Sequence, residues 1–252
     1  MRAITDSATM LRRQIKHIWR YPSLIVTYTA VPVVFLLLFV YVLGGTLGAG
    51  IGGDRAAYAG YLTPGIMVTT VAGAAQGTAI SVATDMTEGI IARFKTMAIA
   101  RVSVLTGHVL GAMLQTFIAI AVATAVAMLI GFRPSASALE WLGVVGVLAM
   151  ITFAVTWLSV ALAMVSTNVA TASNLPMPLL MLPFLGSGFV PTESMPGGLR
   201  WFAEHQPFTP VIDTLRALLA GRSAGSSFVE AAIWSAVIAL AGYLWARRLY
   251  NR

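Results

Sequence analysis

The stretch WLGVVGVLAMITFAVTWLSVALAMVSTNVATASNLPMPLLMLPFLGSGFVPT, residues 141–192, runs for 52 residues without one Asp, Glu, Lys or Arg. About 20 apolar residues of helix cross the hydrocarbon core of a bilayer, so the stretch has room for two crossings. A charge at the bilayer centre costs roughly 2.5–3.5 kcal/mol even on the lenient insertion scale, which is why charge-free length is the signal to follow. The polar but uncharged Ser166 to Asn174 supplies a turn, dividing the stretch into spans at about 141–164 and 173–190. The second of these holds Pro176, Pro178 and Pro183, and cannot be a straight helix throughout.

Working outward, no charged residue occurs in 21–53, 56–84 or 102–132, and a shorter gap covers 231–246. These predict spans at about 24–43, 59–82, 104–130 and 228–246. Pro32 predicts a kink in the first, tolerated in lipid where neighbours satisfy the freed carbonyl. Residues 24–43 are longer than a typical signal-peptide core and read as a retained span. Gly44 to Gly53 reads as a glycine-rich turn. Gly73 and Gly77, then Gly107 and Gly111, have the spacing that lets helix backbones approach closely. With 58% hydrophobic and 10% charged residues and a mean hydropathy of +0.83, a soluble globular fold is excluded. The expected fold is an all-α membrane protein with six transmembrane helices, forming a single domain over 1–252.

The net charge of +7 invites a nucleic-acid reading, but its distribution argues against one. With six spans, the side holding both termini carries 11 Lys and Arg and the other side 5. That asymmetry predicts both termini cytoplasmic in a multi-pass protein of the cell inner or plasma membrane. Anionic lipid headgroups then account for the basic excess, with no nucleic-acid partner. There is no cysteine, so neither a disulfide nor a thiolate metal site is available.

Residues 1–22 read as a cytoplasmic interfacial segment. Over 7–20, Ala8, Leu11, Ile15, Ile18 and Trp19 share one helical face, with Arg12, Lys16 and Arg20 along its edge and back. Such a basic amphipathic helix suits the headgroup layer, and Pro22 ends it.

Two loops carry more information. In the loop 85–101, Met86, Ile90, Phe94 and Met97 form one helical stripe, with Glu88, Arg93 and Lys95 away from it. The pattern predicts a short helix over 85–97 with Asp85 and Glu88 in its first turn, where the helix dipole favours anions. It fits docking into a groove on a soluble partner, and equally a loop packed on its own bundle. In 192–222, Met195 to Glu204 and Thr209 to Gly221 predict two short amphipathic helices, an outer re-entrant hairpin. Thr209 is a candidate N-cap with Pro210 at the first helical position, and Gly221 sits just past the end.

Chemistry is conspicuous by what it lacks. The two lysines, Lys16 and Lys95, follow Ile15 and Phe94, so there is no Gly-Lys-Ser/Thr phosphate loop. His17, His108 and His205 are scattered, without His-Glu-x-x-His spacing. No mid-span ionisable residue supports ion coupling. The chain reads as a transporter without internal energy coupling, and not as an enzyme.

The segment Asp85-Met-Thr-Glu-Gly-Ile-Ile-Ala-Arg-Phe-Lys-Thr-Met-Ala-Ile-Ala-Arg101, with Val104-Leu-Thr-Gly-His108, resembles the cytoplasmic coupling region of type-2 ABC exporter permeases. The likeness is strongest to the daunorubicin/doxorubicin-resistance permease group. Gly188-Phe-Val-Pro-Thr-Glu-Ser-Met-Pro196, continuing through Ala203-Glu-His-Gln-Pro207 to Asp213-Thr-Leu-Arg216, resembles the same family's signature before the last span. Ala98 departs from the proline that many relatives carry. The resemblance implies a dimer with a second permease copy or paralogue, paired with two ATPase subunits that hold ATP and Mg, this chain binding no cofactor. It implies coupling through Asp85, Glu88, Gly89, Arg93 and Phe94, and a path between the copies lined mainly by the first, second and fifth spans. Tyr28, Met67, Met177 and Met181 are the candidate contacts for hydrophobic small-molecule cargo. The expected function is export of an amphipathic or lipid-like compound, drugs or antibiotics first. Export of polysaccharide or lipid by the same mechanism, or ion-coupled secondary transport, are the competing readings.

Overall fold

The computed structural model describes residues 22–51, 53–89 and 101–250. The helix expected over 7–20 and the coupling residues Arg93 and Phe94 lie outside them. Every regular element among the described residues is helical. In chain order these are α1 (Pro22–Leu38), a π-helical turn (Phe39–Leu43), α2 (Gly44–Gly50), α3 (Arg55–Thr87), α4 (Arg101–Leu129) and α5 (Ala138–Val165). There follow α6 (Val169–Asn174), α7 (Met177–Met181), 3-10 turns at Leu182–Leu185 and Thr192–Ser194, α8 (Gly197–His205), α9 (Phe208–Leu219) and α10 (Gly225–Tyr250).

Among the described residues, five helical stretches are long and apolar enough to cross a membrane: Tyr28–Gly50, Arg55–Thr87, Leu105–Leu129, Ala138–Val165 and Gly225–Tyr250. Each is centred on one of the charge-free gaps. The segment expected as a fifth span at 173–190 is instead broken into α6, α7 and a 3-10 turn, a shorter apolar run over Val169–Leu185. Pro176 caps α7 and Pro183 is the second residue of the 3-10 turn, each lacking the N–H that a continuous helix needs. The glycine-rich 44–53 does not turn where expected; helix persists to Gly50. Gly48 is needed for proximity, since a Cβ there would lie 3.0 Å from the Asp54 carbonyl carbon.

Helix α3 is the axis of the bundle. Leu62, Ile66, Val68, Val71, Ala75, Ala79 and Val82 are buried, against α1, α4, α5 and the broken segment. Its hydroxyls are satisfied within the helix: Thr63, Thr69, Thr70 and Thr78 each donate to the carbonyl four residues earlier at 2.7–2.8 Å. That removes the penalty such groups would carry in lipid. Helix α5 starts with a capping box, Ser137 N–H donating to Glu140 at 2.6 Å and Glu140 N–H to Ser137 Oγ at 3.4 Å. Helix α10 lies along α5, with Tyr243 edge-on to Trp157 at 5.0 Å. Outward faces are apolar, as on Val31, Val34 and Leu38 of α1 and Val237, Leu240 and Leu244 of α10. Such faces suit lipid contact.

The antiparallel spans give the bundle two ends. One carries Thr87, Arg101, Val165 and Tyr250 (the loop end). The other carries Arg55, Leu129, Ala138 and α8–α9 (the hairpin end).

Candidate functional site

At the loop end, α3 does not stop near residue 82 but runs to Thr87, so Asp85 lies in its last turn and Glu88 caps its C-terminus. This corrects the expectation that both open a new helix. The reason is Gly89. Its φ of +71° is a left-handed conformation that glycine adopts without steric cost, and it ends the helix. The Glu88 N–H still bonds Thr84 O at 2.9 Å, and the Gly89 N–H bonds Met86 O at 3.2 Å.

A carboxylate in the last helical turn opposes the macrodipole, by about 0.3–1 kcal/mol when exposed. Asp85 is instead bridged to the neighbouring helix. His108 Nε2 of α4 lies 3.1 Å from Asp85 Oδ2, with the imidazole 5% exposed. Ser81 Oγ, one turn earlier on α3, lies 3.3 Å from His108 Nδ1. Both ring nitrogens are therefore engaged, and α3 and α4 are tied together where the loop leaves them. Ser, His and Asp in contact invite comparison with a nucleophilic triad. Ser81 is interior to α3, however, where backbone N–H groups are committed to the helical ladder and offer no oxyanion hole. The cluster is a mechanical tie.

The hairpin end has its own polar brace. Beyond Leu185 the chain is irregular, and its carbonyls need partners. Tyr58 Oη of α3 donates to Phe189 O at 3.2 Å, and Tyr61 Oη donates to Ser187 O at 3.0 Å. Arg216 of α9 donates to Ser187 O and to Asp213 Oδ1, each at 2.6 Å, with its guanidinium 4.1 Å above the Tyr61 ring. Ser187 Oγ completes the brace by donating to Asp213 Oδ1 at 2.7 Å. Farther along the broken segment, Gln76 donates to Ser173 O at 3.1 Å. Phe184 and Phe189 stack at 4.4 Å and continue to Phe39 of the π turn at 4.8 Å. Gly65 of α3 abuts the backbone of Gly188 with no room for a Cβ.

Helix α9 begins two residues earlier than Thr209 would set it, with Pro207 as cap. The Thr209 hydroxyl instead accepts from Gln206 Nε2 at 2.8 Å and donates to Ala203 O, locking α8 to α9. Past its end Gly221 has φ +66°, and the Gly221 and Arg222 N–H groups bond Leu218 O and Ala217 O. On α8, Glu204 accepts from Arg200 at 2.7 Å, and that hydrogen bond raises the guanidinium pKa further.

The cargo candidates divide. Met177 and Met181 are each 47% exposed on α7, whereas Met67 is 1% exposed in the core. Tyr28 packs on Gly77, excluding any Cβ there. Two participants went unassigned in the sequence, His108 and the Asp213–Arg216 pair. Both lie inside the quoted motifs, whose residue identities carried the signal without the pairing.

A model of one family, described as ABC-2 type transporter, matches residues 6–220. The chain belongs to that family. It is 28% identical over 222 residues to the daunorubicin resistance ABC transporter permease protein of Streptomyces coeruleorubidus, covering 85% of this chain and 77% of the relative. It is 22% identical over 207 residues to a probable doxorubicin resistance ABC transporter permease protein, found in two Mycobacterium tuberculosis strains, covering 82% and 74%. As an ABC-2 type transporter chain similar to permeases, it is a transporter component and not itself an enzyme.

Proposed function

We propose that the chain is the membrane-spanning permease subunit of an ATP-driven exporter. Two permease copies, this one with itself or with a paralogue, work with two copies of a separate ATPase that binds ATP and Mg. The observation that carries the reading is the family match across 6–220, with relatives named for daunorubicin and doxorubicin resistance. The absence of a phosphate-binding loop from the sequence assigns hydrolysis to the partner.

In this reading the loop end is cytoplasmic, following the 11-to-5 basic asymmetry. The broken segment Val169–Leu185, continued by the braced residues 186–191, serves as the sixth crossing. Irregular backbone is tolerated at membrane depth where protein satisfies it, and the bonds from Tyr58, Tyr61, Gln76 and Arg216 do so. The ATPase engages the loop beginning at Asp85, Glu88 and Gly89 and containing Arg93 and Phe94. The Asp85–His108 tie transmits its displacement to α3 and α4 together. Cargo is an amphipathic or lipid-like compound, drug or antibiotic, passing the outward face of the broken segment at Met177 and Met181. Met67 and Tyr28, engaged in the chain's own packing, support no pathway role in a single copy.

The test is co-expression with the partner ATPase, reconstitution, and vanadate-sensitive export of daunorubicin. Glu88→Ala and Phe94→Ala should each abolish stimulation by ATP while the permease still inserts. Export by the permease alone under an ion gradient would overturn the proposal.

A further inference from the structure

At the hairpin end the first turns of α3, the α4–α5 turn and the end of α9 enclose an open cavity of about 730 Å3. That is within the range of a small-molecule site. Its lining is amphipathic. Phe132, Leu219 and Ile51 contribute apolar surface, and Tyr61, Arg133 and Arg216 the polar part. Both charged residues of the lining are arginines, and no carboxylate is among the lining residues.

Both guanidiniums are held in place, and Arg133 keeps donors to spare. Arg133 Nη1 donates to Met128 O at 2.6 Å and Phe132 O at 3.3 Å, while Nε and Nη2 make no hydrogen bond among the described residues. Arg216 lines the cavity beside it, fixed by Asp213, Ser187 and the Tyr61 ring, with its Nε buried out of a ligand's reach. A guanidinium offers five N–H donors in a rigid fork, suited to phosphate or carboxylate oxygens. Arg133 has no carboxylate partner within the described residues. Two anchored arginines beside apolar walls, where three membrane-length helices end, form a site for a molecule with an anionic head and a hydrocarbon body.

We propose that this cavity binds an anionic amphiphile, its phosphate or carboxylate head between Arg133 and Arg216 and its apolar part against Phe132 and Leu219. The inference rests on the membrane-embedded reading above but not on ATP-driven export. The same chemistry is offered by an anionic bilayer lipid or by a free amphiphile passing through.

The test uses the purified full-length permease in neutral detergent, with binding read by native mass spectrometry. The probes are phosphatidylglycerol, phosphatidylcholine of the same acyl chains, dodecyl phosphate and inorganic phosphate. At least one anionic amphiphile should bind about tenfold or more above phosphatidylcholine, the scale of one charge-assisted hydrogen bond. Arg133→Gln should remove most of that preference. Ala57→Leu, at an exposed lining position, should weaken every chain-bearing probe while keeping the preference for anions. Phosphatidylglycerol binding identifies a bilayer lipid as the source; dodecyl phosphate alone identifies a free amphiphile; either supports the site. Equal binding of phosphatidylcholine, an undiminished preference in Arg133→Gln, or inorganic phosphate binding as tightly as dodecyl phosphate would overturn it. Because no ATPase is present, failure here is distinct from failure of the export reading.

Discussion

Replacing Gly65 by alanine puts a methyl group into a contact between two backbones. A Cβ at Gly65 would lie 2.9 Å from Gly188 Cα and 2.8 Å from its carbonyl carbon, closer still to its oxygen. Neither side is a flexible side chain, so α3 and the irregular strand of chain must separate. Overpacking of this kind costs about 1–3 kcal/mol. Tyr61 is one turn away on the same helix, and stretching its bond to Ser187 O adds about 0.5–1.5 kcal/mol. The sum, about 1.5–4.5 kcal/mol, corresponds to a melting temperature lower by roughly 3–18 °C in a domain of this size. The control is Gly73→Ala on the same helix, where a Cβ meets nothing within 4 Å. There the gain in helix propensity, up to about 1 kcal/mol, should leave stability unchanged or improved. Both variants are read by scanning fluorimetry in one detergent. If Gly65→Ala melts with Gly73→Ala, the close seat of the broken segment on α3 is wrong.

Gly242→Ala should destabilise by about 1–3 kcal/mol, because its Cβ would fall 2.6 Å from Leu158 N of α5; an unchanged melting temperature refutes that packing. Gly89→Ala forces a side chain to φ +71°, a cost of about 1–2 kcal/mol, or lets α3 continue; amide exchange beyond Thr87 should slow if it continues, and identical exchange and melting would refute the role. His108→Ala removes the bridge to Asp85 and should lower stability by about 1–3 kcal/mol. In the reconstituted transporter it should also raise the ATP hydrolysed per cargo moved. Wild-type coupling in that variant would mean the tie does not transmit force.

Much of the architecture was legible because charge is so costly in hydrocarbon. The gaps bounded by Arg55 and Asp85, or by Arg101 and Arg133, each hold one long helix. Boundaries were less legible. The stripe from Met86 to Met97 is periodic across Gly89, so periodicity alone carried a helix through a residue whose missing Cβ lets the backbone turn left-handed. The prolines at 176, 178 and 183 announced a broken segment but not where its carbonyls find donors, because Tyr58 and Tyr61 lie more than 100 residues earlier. The same distance effect hid the site. Asp85 could be singled out from its loop, but its partner His108 belongs to the next helix, and nothing local pairs them.

Helix α3 is a rod of 33 residues, about 50 Å long, interrupted by one proline at Pro64. Asp85 sits at one extremity and the tyrosines that hold Ser187 and Phe189 at the other. A roll or thrust delivered to the first extremity would reach the second along a single shaft, with Pro64, whose missing N–H removes one ladder bond, as its weakest turn. Under the proposed coupling, stiffness at that position, rather than the strength of any local bond, would set how much of a stroke survives the journey.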